Sequence, residues 1–330
     1  MMDRRACLAL LVMGASGIPF PALGQPKATA PGAGVPRIGV FGVTPQAVSH
    51  SESFKQTLSE LGYTDGQHVT IDFRDARGQP ERLSQVAGDL LRNPVDIILA
   101  RGAGALSAAT RATRSIPIVA VDLESDPVAM GFVRNLAQPG GNVTGVFLDL
   151  PELSGKQLQL LKEVIPSISR VAVLGDPLLN GPQFQATDAA ARTLSIQSQR
   201  LDVRGSKDIE AALDAASRSQ ANAVLLLSSP LVFHHRAEFG ALAAKRRLPA
   251  VSMFAEFAEA GGLMAYGPSI RESFRRAAGF AARILRGAKP ADMPVERPTT
   301  FELVINRKTA RGLGLALPPS VARRADRFVE

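Results

Sequence analysis

The sequence predicts an α/β protein of two lobes, each a doubly wound parallel sheet with helices on both faces. Three observations predict this class. Short apolar runs recur along the chain and are continuous rather than alternating, as in strands that are buried on both faces. Segments with a helical period separate these runs, which gives a repeated β-α-β order. The length of 330 residues exceeds what one compact core usually needs, so about two domains are expected.

Eleven apolar runs are the predicted strands of these two sheets. They cover residues 37–41, 69–73, 95–100, 116–121, 143–147, 170–174, 197–203, 223–227, 249–253, 262–266 and 301–305. Two apolar stripes at helical spacing are predicted to face the core, namely Leu83, Val86, Ala87, Leu90 and Leu91 in one helix, and Ile270, Phe274, Ala277, Ala281 and Ile284 in another. The second stripe belongs to a long helix that resembles a return crossing between the lobes.

Three helix starts carry capping residues. Ser269 with Glu272 three residues later has the pattern of a capping box. Asp126 and Asp176 are each followed by proline, which predicts an N-cap with proline at the first helical position. A carboxylate that caps a helix is not free to bind a ligand, so these two roles compete.

The composition excludes several classes of protein. Hydrophobic residues at 45% and charged residues at 21% describe a folded chain and not a disordered one, a coiled coil or a collagen-like fibre. Cys7 is the one cysteine, so neither a disulfide nor a cysteine-ligated metal is expected. The formal charge of +8 is spread along the chain, with short basic runs only at 245–247 and 323–324, where helix ends are predicted. We therefore expect no nucleic-acid partner.

Residues 1–24 have the three parts of an export signal. Arg4 and Arg5 form a basic head, an apolar run of eleven residues follows, and small residues lead to Gly24. The run is too short to span a bilayer, so we expect a periplasmic protein whose signal is cleaved after Gly24. An uncleaved anchor and a twin-arginine signal stay open as alternatives. Residues 25–35 are predicted to be a flexible leader because proline, glycine and alanine dominate them.

The sequence contains no catalytic or cofactor signature. No Gly-x-Ser-x-Gly elbow follows a strand, and no phosphate-binding loop ending in Gly-Lys-Ser/Thr occurs. The sequence GAG at 102–104 follows a predicted strand, but Ser107 stands where a dinucleotide fingerprint needs its third glycine. The histidines His50, His68, His234 and His235 lack metal-binding spacing, and we expect surface or capping roles for them. These absences favour a binding protein over an enzyme, with no cofactor and no metal.

Small-residue loops follow several predicted strands and expose helix N-termini, whose N–H groups attract anions. A carboxylate is the expected anion, with Thr44, Ser49 or Ser51 as hydroxyl donors. An α-ammonium group needs an acidic partner, and an apolar substituent needs an aromatic wall. The acidic candidates are Asp122, Asp126 and Glu256, and the aromatic candidates are Phe233, Phe254, Phe257 and Tyr266. A purely structural role stays open for each of them, since such loops occur in any doubly wound fold.

Five motifs in register resemble one known family. They read LGYTDGQ at 61–67, QPGGNVTG at 138–145, EFA at 256–258 with GGLMAYG at 261–267, ILRGAKP at 284–290 and PTTFELVIN at 298–306. Together they closely resemble the ABC-transporter substrate-binding proteins that include tryptophan- and tyrosine-binding members. The resemblance covers roughly residues 36–330. It implies a type I periplasmic-binding-protein fold with three crossings between the lobes.

The resemblance also implies a division of the chain and a set of ligand-binding positions. The first lobe is expected at 36–148 plus about 267–297, and the second at 149–266 plus about 298–330. The implied ligand-binding residues are Thr44, Ser51, Arg101, Gly102, Ala103, Asp122, Asp126, Asp176, Asn180, Ser229, Phe254 and Glu256. Asp176 departs from the asparagine common in the family at that place, which implies that a ligand meets a different polarity in this loop. No cysteine stands in a lipid-attachment context, which favours a free periplasmic protein.

The function implied is that of a periplasmic solute receptor of an ABC importer. It closes on an amino acid or a related carboxylated or aromatic compound and delivers it to an inner-membrane permease with its ATPase. We expect a monomer. Two alternatives stay open: a ligand-sensing subunit that signals to a membrane kinase, and an α/β enzyme with an unrecognised site. The identity of the solute lies beyond the sequence, because a few loop side chains decide it.

Overall fold

The computed structural model describes residues 34–45, 48–148 and 151–330, and these ranges form two β-sheets, each flanked by helices. The predicted export signal, with Cys7, and most of the predicted leader lie outside the described residues. No helix in the described ranges has the length and apolar character needed to cross a membrane.

The first sheet has five strands in the order β2-β1-β3-β4-β5, and every neighbouring pair is parallel. Its strands are β1 (Arg37–Gly42), β2 (Thr70–Asp75), β3 (Ile97–Arg101), β4 (Ile118–Asp122) and β5 (Val143–Phe147). The helices of its lobe are α1 (Val48–Glu60), α2 (Leu83–Arg92), α3 (Ala103–Ala112) and, much later in the chain, α10 (Ile270–Leu285). Strand burial on both faces explains the continuous apolar runs of the sequence.

The second sheet has seven strands in the order β12-β11-β10-β9-β8-β6-β7. They are β6 (Arg170–Gly175), β7 (Gln197–Asp202), β8 (Ala223–Leu226), β9 (Ala250–Ser252), β10 (Met264–Pro268), β11 (Phe301–Asn306) and β12 (Arg327–Val329). The helices of this lobe are α4 (Pro151–Val164), α5 (Gly181–Thr193), α6 (Ile209–Arg218), α7 (Pro230–His234), α8 (Arg236–Lys245), α9 (Ala255–Glu259), α11 (Arg307–Gly312) and α12 (Pro319–Ala322). Three short 3-10 segments at Pro80–Arg82, Ser206–Asp208 and Pro290–Asp292 complete the regular structure of the described ranges.

All eleven predicted strands are present, with ends that shift by up to two residues. The prediction missed β12, because a three-residue edge strand is too short to show a pattern. One pair also departs from the parallel arrangement: β11 runs antiparallel to β10, and Pro268 lies opposite Phe301. The chain leaves the second sheet where β10 ends and returns at the same edge, so β11 starts beside the end of β10.

Helix α10 belongs to the first lobe although strands of the second sheet precede and follow it. Phe274, Ala277, Phe280 and Ala281 bury one face of α10 in the same core cluster as α1, β3 and β4. The predicted apolar stripe is thereby confirmed, and so is the cap, since Ser269 Oγ accepts the N–H of Glu272 at 3.4 Å. The sequence boundaries of the two lobes stay a prediction.

The other two predicted caps were wrong. Asp126 Oδ1 accepts the N–H groups of Val128 and Ala129, but residues 126–131 form turns and no helix begins there. Asp176 Oδ1 accepts the N–H of Leu178 in a turn, and α5 begins only after Asn180. An aspartate before proline stabilises a turn as readily as a helix start, because both expose N–H groups two residues on.

Candidate functional site

A cavity of about 100 Å³, here called the central cavity, lies between the lobes at the carboxyl ends of both sheets. Open α/β sheets bind ligands at this edge. Its lining residues are Val43, Thr44, His50, Arg101, Gly102, Val121, Leu123 and Glu124 from the first lobe, Pro230, Phe233 and Phe254 from the second, and Ile270 and Phe274 from the start of α10.

Arg101 is the cationic group of the central cavity that stays without an acidic partner. It ends β3, and its Nη2 donates to the carbonyl oxygen of Thr44 at 2.6 Å. Its Nε is buried without a hydrogen-bond partner, and no carboxylate of the described residues lies within ion-pair distance. Burial lowers the pKa of Arg101 to about 10, opposed by the charge of Asp75, so the guanidinium is still charged at neutral pH.

Gly42 makes room for this guanidinium at the end of β1. A Cβ on Gly42 would lie 2.9 Å from both Cζ and Nη2 of Arg101, closer than packed atoms allow. Gly102 follows Arg101 with a φ of +81°, a conformation that favours glycine and turns the chain into α3. The two glycines fix where Arg101 lies relative to the N-terminus of α3.

Two carboxyl groups follow β4 and differ in their surroundings. Asp122 is fully buried under its own loop, where it accepts hydrogen bonds from the Glu124 N–H at 3.0 Å and from the Ser125 hydroxyl. Burial raises the pKa of Asp122 to about 6, against these hydrogen bonds. Glu124 lines the central cavity and accepts the N–H of Ala103 at the start of α3. Burial, and then the charge of Asp122, raise the pKa of Glu124 to about 8.

Aromatic side chains form the opposite wall of the central cavity. The rings of Phe233 and Phe254 pack edge to face with centroids 5.1 Å apart, and Pro230 extends this surface. Phe274 stacks on His50 from the first-lobe side, with ring centroids 5.5 Å apart. An apolar or aromatic group held here would touch both lobes.

His50 links the two lobes beside the central cavity. Its Nε2 lies 2.9 Å from Oε1 of Glu256 on α9, and its ring lies 6.3 Å from that of Phe233, centroid to centroid. Burial raises the pKa of Glu256, but the hydrogen bond and charge of His50 outweigh burial, and the net shift is downward. His50 is 6% exposed, so the expectation of a surface or capping role for this histidine was wrong.

Two larger chambers adjoin the central cavity. One, of about 320 Å³, shares Val43, Thr44 and Pro230 with it and is lined also by Asp176 and Ser229. The other, of about 310 Å³, shares His50 and Ile270 and is lined by Glu256. The chambers extend the interlobe space on either side of the central cavity.

The structure brings four of the twelve sequence-predicted site residues to the central cavity: Thr44, Arg101, Gly102 and Phe254. Ala103 contributes its N–H to Glu124, and Ser51 lies in the first turn of α1. The other six lie elsewhere: Asp122 beneath its loop, Asp126 in an exposed turn, Asp176 and Ser229 in the first chamber, Glu256 in the second, and Asn180 buried in hydrogen bonds to Gln183 and the Ser228 carbonyl. Ser229 also caps α7 by accepting the N–H of Val232.

Of the four aromatic candidates, Phe233 and Phe254 line the central cavity and the other two do not. Phe257 is fully buried in the core of the second lobe, and Tyr266 stacks on Phe301 with centroids 6.0 Å apart. A group of three or more His, Cys, Asp or Glu arranged to hold a metal ion is absent from the described residues.

Sequence reasoning missed His50, Glu124 and Phe274 as parts of the site. A signal for His50 exists, because His50, Phe54 and Leu58 follow one another at a spacing of four on α1 and are all buried. Glu124 stands two residues after β4, at the edge where ligands bind. Phe274 was assigned to the core stripe, and it does pack in that core, but it also lines the cavity at the start of α10.

Comparisons with known proteins show the family of this chain and its fold. The sequence model of a family described as ABC transporter substrate binding protein matches residues 40–329. The tyrosine-binding protein of Clostridioides difficile (strain R20291) is 23% identical over 268 residues, which cover 80% of this chain and 76% of the relative.

Two solved structures share the architecture over most of the chain. A conserved domain protein from Vibrio cholerae superposes with a TM-score of 0.83 at 24% identity, covering 90% of this chain and 100% of the other. The ABC domain in complex with L-Trp from Streptococcus pneumonia superposes with a TM-score of 0.81 at 24% identity, with the same coverage. The fold is that of the type I periplasmic binding proteins, as the resemblance implied.

Proposed function

The chain belongs to the family of ABC transporter substrate-binding proteins, and from that premise we propose that it is the solute receptor of an importer. It closes its two lobes on an aromatic amino acid or a related carboxylated aromatic compound and delivers this solute to an inner-membrane permease. The proposal includes export to the periplasm and action as a monomer. The observation that carries it is the central cavity, where an unpaired Arg101 faces the Phe233 and Phe254 wall of the other lobe.

The first lobe supplies the polar contacts of the bound solute. Arg101 has a buried Nε without a partner, and a guanidinium in this state favours a carboxylate, which it binds by charge-assisted hydrogen bonds. Thr44 lines the same space, and its carbonyl oxygen accepts from Arg101 Nη2. The solute carboxylate thereby restores the hydrogen bonding that burial denies to Arg101.

The second lobe supplies the apolar contacts. Phe233, Phe254 and Pro230 present no charge to the central cavity, so they favour the ring of a solute and exclude water from its polar end. A tyrosine-binding relative and a relative solved with L-Trp support an aromatic side chain in this position.

Closure requires no chemical reaction. It depends only on the difference between the solute's affinities for the open and the closed state. The His50–Glu256 pair and the His50–Phe233 contact join the lobes and support a closed arrangement in this structure. The backbone changes are assigned to the three crossings near residues 148–151, 267–268 and 295–298, of which 149 and 150 lie outside the described residues.

Mass spectrometry of the small molecules that co-purify with the protein identifies the class of solute. A thermal-shift screen of the twenty amino acids and of aromatic acids follows, in which a ligand at 100 times its dissociation constant adds about 2.7 kcal/mol of stability. Small-angle scattering then measures compaction on binding. A solute that binds without compaction, or that is chemically converted while bound, contradicts the proposal.

A further inference from the structure

The carboxyl group of Glu124 lies in the central cavity, although binding of a solute carboxylate by Arg101 does not require an acidic side chain there. It lines the central cavity next to the turn that carries Arg101, and a Cβ on Gly102 would lie 3.3 Å from Oε2 of Glu124. Its contact within the protein is the N–H of Ala103. An acidic side chain at this place adds a second charge type to a cavity that already holds a cation.

No cation of the described residues neutralises Glu124. Arg101 lines the same cavity, yet no ion pair joins the two groups. His50 pairs with Glu256 instead, and Asp122, directly below, adds negative charge. Neither the second-lobe wall nor the start of α10 presents a charged group to the central cavity.

The guanidinium of Arg101 and the carboxyl of Glu124 share a cavity without forming an ion pair, and this arrangement is complementary to a zwitterion once the carboxyl is ionised. The carboxylate of an α-amino acid fits Arg101, whose Nε has no partner, and its ammonium group fits Glu124, which forms no ion pair. We propose that Glu124 selects solutes that carry an ammonium group and releases a proton to solvent when such a solute binds. This inference rests on the proposed function and specifies the chemistry of its site.

The proton balance follows from the surroundings of Glu124. In the solute-free protein, burial and the charge of Asp122 raise the pKa of Glu124 to about 8, so the carboxyl is mostly protonated at pH 7. An ammonium group beside it lowers this pKa, the O–H bond breaks, and the proton passes to the buffer. Binding of an amino acid thus releases protons at pH 7, and affinity rises with pH up to about 8, where Glu124 is ionised before the solute binds.

Calorimetry in buffers of different ionisation enthalpy measures this release. The probes are L-tryptophan, L-tyrosine and L-phenylalanine, each beside the acid that lacks its amino group: 3-indolepropionate, 3-(4-hydroxyphenyl)propionate and 3-phenylpropionate. We expect proton release and a rise in affinity with pH for the amino acids only. Equal proton release for both members of a pair, or none for either, overturns the inference.

The variant Glu124→Gln keeps an oxygen that accepts the Ala103 N–H and removes the charge. We expect it to bind amino acids at least tenfold more weakly at pH 8, without pH dependence, and to bind the deaminated acids within threefold of the wild type. Equal losses for both classes would indicate that Glu124 only holds α3 in place, and the inference would fail. Glu60→Gln, an exposed acid at the far end of α1, is the matched control and should change nothing.

Thermal stability of the solute-free protein gives an independent readout. A carboxyl whose pKa is raised on folding binds more protons in the folded state, so its contribution to stability declines as the pH rises from about 4.5 to about 8. We expect the melting temperature of Glu124→Gln, relative to that of the wild type, to be higher at pH 8 than at pH 5. If this difference is the same at both pH values, the assignment of a buried, protonated acid is overturned.

The two proposals fail in different ways. Binding of the deaminated acids with compaction, without preference for the amino acids, overturns the role of Glu124 and leaves a solute receptor. Absence of binding for all six probes overturns the zwitterion assignment, while compaction with another co-purified solute still upholds the receptor.

Discussion

The two faces of the central cavity differ in kind. The first lobe presents Arg101, Glu124 and His50, each placed by the end of a strand or the start of a helix. The second lobe presents Pro230, Phe233 and Phe254, while its nearby Asp176, Asn180 and Ser229 are occupied in caps and turns of that lobe. The directional contacts in the central cavity therefore come from the first lobe, whereas the second lobe contributes apolar surface alone.

This difference suggests an order of events. A solute first docks on the polar lobe, where hydrogen bonds fix its orientation, because such contacts need defined geometry. The apolar lobe then closes over it, since burial is non-directional and tolerates the small errors of a moving domain. Selection among polar groups is expected to reside in the first lobe, and the affinity gained on closure in the second.

Removing the cation of the polar lobe should have the largest effect. In Arg101→Ala the solute carboxylate loses charge-assisted hydrogen bonds worth about 2–3 kcal/mol, so the affinity for L-tryptophan should fall about 30- to 150-fold. Titration calorimetry measures it. The control is Arg111→Ala, an exposed arginine of α3, which should bind as the wild type does. A loss below threefold in a folded Arg101→Ala protein would place the carboxylate elsewhere.

Truncating the apolar lobe should have a smaller effect that depends on the solute. Phe254→Ala removes one ring of the edge-to-face pair with Phe233, and we expect about a tenfold loss for an aromatic amino acid, or about 1.4 kcal/mol. An aliphatic amino acid with the same charged groups should lose less. Phe328→Ala, on the distant strand β12, is the control. Equal losses for both solutes would argue against a ring contact at Phe254.

The sequence contained most of the fold and less of the site. Strands buried on both faces and amphipathic helices leave periodic patterns, and these located eleven strands and the α10 stripe. The site depends on which loop side chains already form hydrogen bonds within the protein, and the periodicity of the sequence does not encode that. Asp122 and Glu124 are two residues apart on one loop, yet Asp122 is bonded within the loop and Glu124 reaches the cavity.

The His50–Glu256 pair, which joins the two lobes, offers a further test of how the lobes cooperate in binding. His50→Ala or Glu256→Gln removes the one ion pair that joins the lobes in the described residues, and each should weaken solute affinity about fivefold by favouring the open state. The double variant should lose little more than either single one, because both remove the same contact. His235→Ala, which breaks a pair with Glu238 inside the second lobe, is the control. Fully additive losses in the double variant would show that the two side chains contribute independently to solute affinity, which would contradict a shared contact.

The smallest expected effect tests whether the position of Arg101 matters as well as its charge. In Gly42→Ala the new Cβ lies 2.9 Å from the guanidinium, which must shift into the cavity, and we expect affinity for L-tryptophan to fall three- to tenfold. Gly39→Ala is a matched control on the same strand, since its Cβ meets Leu90 at the same 2.9 Å but faces the core. Both variants should lose similar stability in thermal melts, whereas only Gly42→Ala should lose affinity. If Gly39→Ala loses as much affinity, the loss in Gly42→Ala comes from a general disturbance of the sheet and not from displacement of the Arg101 guanidinium.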